Sequence, residues 1–249
     1  MTTAKIATRL YLPASLAEGG TAALETAQVH RLRNVMRLAP GAAVTGFNAR
    51  DGEFLCRIVE LGRTGGALTV EAQLRPPASE ADLWLVFSPI KRLRIDWLIE
   101  KGTELGVGAF VPVVTERTQS ERLNCERLTA HAISAVEQCE RLSVPDIRPV
   151  EKLSSIIDAW PEERRLIVCD ETGGGVPMAE TLTDFPPAAP AAILIGPEGG
   201  FAQRELDALR NLPFVTTVGL GPRVLRAETA ALAAVAAFQA IAGDWRRRG

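Results

Sequence analysis

Short apolar runs alternate with helical patterns over the last two thirds of the chain. The runs of strand length, most of them bordered by Gly or Pro, are 83–89, 109–115, 165–170, 191–196 and 214–220. Apolar residues recur at helical spacing in the segments 92–105, 125–142, 202–212 and from about Ala227 onward. This alternation predicts an α/β fold with a buried parallel sheet and helices on both of its faces.

The first 75 residues follow a strand-rich pattern instead. A strand is predicted over "RLYL", a short helix over "AQVHRLRNVMRL", and three strands over "AAVTGFN", "EFLCRIVELG" and "ALTVEAQL". Turn signals at "ARDG" and "GRTGG" separate the last three. The prolines of "RPPASEAD" (75–82) mark a linker. We therefore predict a small β-barrel domain over residues 1–75 and an α/β domain over residues 76–249.

Composition narrows the class of protein. Hydrophobic residues make up 47% of the 249 residues, enough for a sizeable core. Neither a membrane span nor a secretory signal is evident. The four cysteines are scattered without a CxxC pair, which predicts reduced thiols, a cytoplasmic protein and no metal site. Residues 1–75 carry nine Lys or Arg against six Asp or Glu, which is compatible with a phosphate-binding surface.

Two glycine-rich segments follow late predicted strands. One is "ILIGPEGGF" (193–201), and the other is "TTVGLG" running into "PRVLRAET". Ligands of open parallel sheets bind beyond the carboxyl ends of the strands, and glycines allow close approach to the backbone. The chain lacks GxxxxGK[ST], GxGxxG after an early strand, and GxSxG. These absences disfavour a Walker ATPase, a standard dinucleotide site and an α/β-hydrolase.

The pairing of "GPEGGF" with "LGPRVLRAETA" some twenty residues later resembles the RsmE family. That family comprises 16S ribosomal RNA uridine-N3 methyltransferases of the SPOUT, or trefoil-knotted, superfamily. The segments "KRLRIDWLIEKGTELGVGAFVPVVTERTQS" and "AVEQCERLSVPDI" are similar to further family motifs. "HRLRNVMRLAPG" with "VTGFNARDGEF" is similar to its N-terminal PUA-like RNA-binding domain. The resemblance covers nearly the whole chain in matching order.

The resemblance implies a knotted SPOUT domain that binds S-adenosylmethionine (SAM) between the two glycine-rich segments. The implied cofactor-binding residues are Leu194, Ile195, Gly196, Glu198, Gly199, Gly200, Val218, Leu220, Gly221, Leu225, Arg226 and Thr229. It also implies a homodimer through the knotted domain, with the alanine-rich last helix in the interface. The implied partner is 16S ribosomal RNA in the small ribosomal subunit.

Two charged residues near the last helix are the candidate catalytic groups. A guanidinium at Arg226 could stabilise the anion left when uridine N3 loses its proton. Glu228 is the better candidate for handling that proton, because arginine stays protonated. A structural alternative remains open, in which Arg226 pairs with Glu228 or Glu198 and stabilises the knot.

Basic residues are assigned to RNA partly by charge and partly by resemblance. They are Arg31, Arg33, Arg37, Arg117, Arg141 and Arg223. Two functional alternatives stay open, a SPOUT enzyme acting on another RNA such as transfer RNA, and a non-catalytic RNA-binding or ribosome-assembly protein. A nucleotide-binding hydrolase is disfavoured by the missing phosphate motifs.

Two further expectations concern packing. Gly102 stands where the family commonly has alanine, and a helical glycine costs about 1 kcal/mol relative to alanine. Trp84 and Trp97 occupy apolar positions and are expected in the core.

Overall fold

A computed structural model describes residues 6–119, 122–172, 174–186 and 189–246. The chain divides into two compact units. The first comprises the residues up to Ser79 together with Val136–Val144, and the second comprises Glu80–Ala135 and the residues from Pro145 onward.

The first unit is built on one five-stranded sheet. Its elements are β1 (Arg9–Tyr11), β2 (Thr21–Leu24), α1 (Thr26–His30) with a π-helical turn (Arg31–Val35), β3 (Ala43–Asn48), β4 (Gly52–Leu61) and β5 (Gly66–Arg75). The strand order is β1-β3-β4-β5-β2, and all pairs are antiparallel except β1 with β3. Strand β2 and the π-helical turn were not predicted, since "TAAL" is too short and small for a strand signal.

Arg9 explains why a later segment belongs to the first unit. Its guanidinium pairs with Glu53 at 2.6 Å and lies 4.1 Å from the centre of the Phe47 ring. The same group donates to the carbonyl oxygens of Val136 and Arg141 at 2.9 and 3.1 Å. The predicted boundary at residue 75 therefore omits nine residues that fold with the first unit, because linear sequence carries no sign of this contact.

The second unit contains the parallel sheet. Its elements are β6 (Leu83–Phe87), α2 (Arg92–Glu104), β7 (Ala109–Val114), α3 (Cys125–Cys139), β8 (Asp146–Ile147), β9 (Glu151–Lys152), α4 (Leu153–Asp158), β10 (Arg165–Cys169), β11 (Val176–Pro177), α5 (Met178–Thr183), β12 (Ala191–Ile195), α6 (Gln203–Arg210), β13 (Val215–Gly219), α7 (Ala227–Ile241) and a 3₁₀ turn (Asp244–Arg246). Helix α3 ends among the residues that fold with the first unit.

Parallel pairing runs through the whole second sheet. The strand order is β11-β13-β10-β12-β6-β7-β8, with β9 also paired to β7. Every pair is parallel, as predicted. The central strands are buried on both faces, which matches their unbroken apolar runs. The elements that sequence did not predict, β8, β9, α4, β11 and α5, have only two to six residues each.

No helix within the described ranges has the length and apolar character needed to cross a membrane. Trp84 is half-buried and lies edge-on to Trp160 at 6.0 Å. The expectation that Trp97 lies in the core is wrong, because 44% of this residue is exposed on α2.

Gly102 is required by the packing of α2 on β7. A Cβ at this position would lie 2.8 Å from two ring carbons of Phe110, which is fully buried. The expectation that Gly102 only weakens the helix is therefore incomplete, since close approach to an immovable ring outweighs helix propensity.

We predict that Gly102→Ala destabilises the protein by about 1–3 kcal/mol, as overpacked core positions do. Helix propensity alone predicts a gain of about 1 kcal/mol, so the sign of the change decides between the two effects. The measurement is the urea midpoint of unfolding. In a Phe110→Leu background the same substitution should cost less, and a Gly102→Ala protein as stable as the parent would contradict the packing argument.

Candidate functional site

Strand β10 lies between β12 and β13, and this order brings three strand ends together. Cys169, the last residue of β10, is paired with Ile195 of β12 on one side and with Val218 of β13 on the other. Because all three strands are parallel, the segments that follow them leave the sheet at the same edge. Ligand sites of open parallel sheets lie at this edge.

A cavity of about 520 Å³ opens at this edge. Its walls come from within three segments, 169–172, 195–200 and 219–227, and from Ala230 of α7. Volumes of about 300–1,000 Å³ are typical of small-molecule sites. The cavity wall includes the apolar side chains of Ile195, Leu220 and Leu225 as well as backbone beyond Gly219, the last paired residue of β13.

A carboxylate from one wall holds the glycine-rich turn of another. Glu171 Oε1 accepts a hydrogen bond from the backbone N–H of Phe201 at 3.0 Å. Gly200 has a φ of +69°, and a Cβ there would lie 2.2 Å from the same Glu171 oxygen. The turn therefore needs glycine at position 200, both for its backbone conformation and for the approach of Glu171.

The same turn is also fixed from its outer side. Arg117 Nη1 donates to the carbonyl oxygen of Gly199 at 3.0 Å. Glu205, in the first turn of α6, accepts from the backbone N–H of Ala202 at 3.0 Å and from that of Glu116 at 2.8 Å. These bonds join the turn to the residues after β7, so the cavity wall is anchored at both ends.

Asp170, on the cavity wall, forms an ion pair in which its own side chain is buried and that of Arg210 is partly exposed. It accepts from Arg210 of α6 at 2.6 Å and from the Thr172 hydroxyl at 2.6 Å, and its side chain is fully buried. Burial by itself raises the pKa of Asp170, but the bonds from Thr172 and Arg210 outweigh it and hold the pKa below its ordinary value. Asp170 is therefore a structural anion rather than a proton donor.

The neighbouring thiol is inert for a related reason. Burial, together with the charge of Glu171, raises the pKa of Cys169 to about 12. A thiol with this pKa stays neutral near pH 7 and is a poor nucleophile.

Charge is distributed unevenly around the cavity. Glu171 and Glu198 are exposed carboxylates on its wall, in addition to the paired Asp170. Arg223 and Arg226, both exposed, supply the positive charges from the 219–227 segment. Two segments of the wall therefore offer carboxylates to a cationic group of a ligand, and the third offers guanidinium groups to an anionic group.

Glu228 lies apart from the cavity wall. It is 8% exposed in the first turn of α7, and its Oε1 lies 3.4 Å from Nε of Arg94 in α2. Its Oε2 is buried with no hydrogen-bond partner among the described residues. Within the same residues, no ion pair joins Arg226 to Glu228 or to Glu198, so the structural alternative of such a pair is not formed here.

The predicted cofactor-binding residues fall into two groups. Those on the cavity wall are Ile195, Gly196, Glu198, Gly200, Leu220, Gly221, Leu225 and Arg226. The others are Leu194 and Val218, fully buried within their strands, Gly199 on the outer side of its turn, and Thr229, exposed in the first turn of α7. The binding roles themselves stay predictions.

The predicted RNA-binding residues lie in both units. Arg31, Arg33, Arg37 and Arg141 belong to the first unit, and Arg117 and Arg223 to the second. Arg31 forms an ion pair with Glu137, so it also ties the 136–144 segment to the first unit. Arg33 and Arg37 are exposed.

Sequence reasoning missed the wall formed after β10. Asp170, Glu171 and Thr172 directly follow a buried strand, and two adjacent carboxylates at the carboxyl end of a parallel strand are a usable signal. What sequence could not supply was the position of β10 between the two glycine-rich strand ends. In the described parts of the chain, no group of three His, Cys, Asp or Glu side chains is placed to hold a metal ion.

Comparisons with known proteins agree with this geometry. The sequence pattern of the RNA methyltransferase domain family matches residues 77–239. The chain is 32% identical to the ribosomal RNA small subunit methyltransferase E of Rickettsia conorii, over 92% of this chain and 93% of that protein.

Solved structures extend the likeness to the fold. The ribosomal RNA small subunit methyltransferase E of Neisseria gonorrhoeae, bound to SAM, is 29% identical with a TM-score of 0.85, covering 96% of this chain and 99% of that one. A putative methyltransferase of Legionella pneumophila, in complex with SAM, is 28% identical with a TM-score of 0.83 and the same coverage.

We predict that Glu171→Ala loosens the 196–201 turn, because the N–H of Phe201 loses its partner. A net contribution of about 1 kcal/mol per hydrogen bond corresponds to about fivefold faster amide exchange. Hydrogen–deuterium exchange of peptides that span the turn measures this directly. Glu171→Gln keeps an acceptor oxygen and should stay near the parent rate.

The matched control is Glu180→Ala, which removes an exposed carboxylate from α5. Unchanged exchange in Glu171→Ala would contradict the role given to this carboxylate, and so would equal acceleration in the control.

Proposed function

Since the chain belongs to the ribosomal RNA small subunit methyltransferase E family, we propose that it transfers a methyl group from SAM to N3 of a uridine in 16S ribosomal RNA. The observation that carries the proposal is the cavity at the ends of β10, β12 and β13. Its acidic and apolar walls suit a ligand that combines a cationic sulfonium with a flat apolar ring.

The residues of the wall have separate roles in holding the cofactor. Leu220, Leu225 and Ile195 supply apolar contact for the adenine, and the backbone of Gly219–Gly221 supplies polar groups at close range. Glu171 and Glu198 provide negative charge for the sulfonium and the amino group. Bound SAM supplies an activated methyl group, because its sulfur leaves as a neutral thioether.

Arg226 is the proposed catalytic residue. It lies on the cavity wall and is exposed, and its guanidinium has no hydrogen-bond or ion-pair partner among the described residues. A free guanidinium can stabilise the negative charge that develops on the uracil oxygens as N3 releases its proton to solvent water. Glu228 does not reach the cavity, so we assign it a positioning role through Arg94 and the start of α7.

The finer architecture is also part of the proposal. We propose that the first unit is a PUA-like RNA-binding domain and that the second is a trefoil-knotted SPOUT domain. Support for the knot comes from the 220–226 segment, which lines the cavity before α7 packs on α2, α5 and strands β6 and β12. RNA contacts would come from Arg33, Arg37 and the other predicted arginines, and a ribosomal RNA substrate implies a cytoplasmic enzyme.

The test is methyl transfer from labelled SAM to unmethylated small subunits, free 16S ribosomal RNA and bulk transfer RNA. Mass spectrometry of the nucleosides should find 3-methyluridine in the ribosomal RNA only. Arg226→Ala should lower kcat by about a hundredfold or more, as loss of a charge-stabilising donor does. Arg165→Ala, at the opposite edge of the sheet, is the matched control.

Label in transfer RNA would overturn the substrate, and a different methylated nucleoside would overturn the position. Normal turnover by Arg226→Ala would remove the role given to this arginine. If the parent protein neither methylates any RNA nor binds SAM, the result would favour the alternative of a non-catalytic RNA-binding protein.

We also propose that the second unit forms a homodimer. Leu93 and Trp97, one turn apart on α2, are 86% and 44% exposed, and Val224 before α7 is 88% exposed. Helices α2 and α7 pack against each other, so Leu93, Trp97 and the alanine-rich helix α7 belong to one region, and Val224 lies three residues before α7. Large apolar side chains clustered on a surface indicate an interface.

Leu93→Asp combined with Trp97→Asp is expected to raise the dimer dissociation constant by about thirtyfold or more, as the loss of central interface side chains does. Light scattering over a concentration series measures the change in mass. Val59→Asp, at a residue 51% exposed in the first unit, should leave the dimer intact. A parent protein that is monomeric at every concentration would contradict the proposal.

A further inference from the structure

A second cavity, of about 570 Å³, lies beside the first in the second unit. Pro89–Lys91 form part of its wall directly after β6, and β6 is the neighbour of β12 in the sheet. Glu198 lies on the wall of both cavities. The two cavities therefore meet at the glycine-rich turn after β12.

Charge distinguishes the second cavity from the first. Lys91, Arg122 and Arg127 lie on its wall with Glu198 as the one carboxylate there among the described residues. Arg127 is paired with Asp96, whereas Lys91 and Arg122 are exposed and have no partner in the described parts of the chain. An anionic ligand is thus favoured here, next to a cavity suited to a cationic one.

The floor of the second cavity is apolar. Ile90 and Ile95 are 5% and 1% exposed, and Leu123 is half-buried. A flat base can lie on such a floor while its phosphate reaches the cations at the rim. Asn124 uses its Oδ1 to accept the N–H of Arg127 at 2.9 Å, which leaves its Nδ2 to donate to an oxygen of the ligand.

We propose that this second cavity binds the RNA nucleotide that is methylated, with its phosphate at Lys91 and Arg122 and its base directed toward Glu198. The inference rests on the proposed function, which requires an acceptor nucleotide next to the cofactor. A base turned out of its stack into a pocket is the usual way for enzymes to reach a base. Glu198 then separates the anionic ligand from the cationic one.

The first test removes the two unpaired cations. Lys91→Ala combined with Arg122→Ala, in the full chain, should bind a 16S ribosomal RNA fragment that contains the target uridine about fivefold more weakly. The slope of log affinity against log salt should become shallower by about 0.7 for each phosphate that these side chains no longer neutralise. SAM affinity, measured by calorimetry, should stay within about twofold, because neither residue lies on the wall of the first cavity.

Arg165→Ala is again the control, since it removes an exposed arginine from the amino end of β10. A double variant whose RNA affinity and salt slope equal those of this control would overturn the proposal. A double variant that loses SAM affinity to the same extent as RNA affinity would also overturn it.

The second test locates the base directly. RNA with 4-thiouridine at the target position is photo-crosslinked to the parent protein, and the linked peptides are identified by mass spectrometry. Crosslinks to peptides that contain Pro89–Lys91, Leu123–Arg127 or Glu198, all on the wall of the second cavity, support the proposal. Crosslinks confined to other peptides overturn it.

These experiments distinguish a failure of the second-cavity assignment from a failure of the proposed function. If the parent protein methylates 16S ribosomal RNA but the double variant keeps full RNA affinity and salt slope, only the assignment of the second cavity fails. If the parent protein methylates no RNA, the proposed function fails, and the target-nucleotide assignment fails with it.

Discussion

The position of β10 between β12 and β13 is the constraint on which the site depends. Strand β10 precedes β12 and β13 in the sequence, yet it pairs with both of them. Its end at Cys169 therefore lies between two glycine-rich segments. Glu171, two residues further on, can then hold the turn that contains Gly200. If β10 lay at the edge of the sheet, the two glycine-rich segments would still exist, but the carboxylate wall would be missing.

The two neighbouring cavities differ little in volume but carry different charges on their walls. Asp170 is neutralised by Arg210, so Glu171 and Glu198 supply the unpaired negative charge of the first cavity, opposite the arginines of its 219–227 segment. Lys91 and Arg122 set the positive character of the second. An enzyme that joins a sulfonium donor to a polyanionic acceptor must hold opposite charges a short distance apart. Placing a single carboxylate, Glu198, on both walls achieves this without a buried ion pair and its desolvation cost.

Periodicity predicted the larger elements because they are long and wholly or half apolar. Strands β6, β7, β10, β12 and β13 and helices α2, α3, α6 and α7 lie within a few residues of their predicted bounds. It failed where tertiary contact decides the structure. Residues 136–144 join the first unit through Arg9, Gly102 is required by the Phe110 ring, and Trp97 is exposed although it is apolar. The Arg9 contacts span 127 and 132 residues, and the other two cases depend on how α2 packs, which apolar periodicity alone does not reveal.

Arg226 places a positive charge at the start of α7, where the helix dipole makes a cation unfavourable. Arg226 is the N-cap residue, where the partial positive charge of the helix disfavours a cation. Glu228, two residues later, brings a buried carboxylate to the same helix end and pairs with Arg94 rather than with Arg226. The carboxylate offsets the helix charge and holds α7 on α2, while Arg226 stays without a partner in the described structure. Glu228 therefore stabilises the start of α7 without neutralising Arg226, which leaves the guanidinium available for the charge-stabilising role proposed for it.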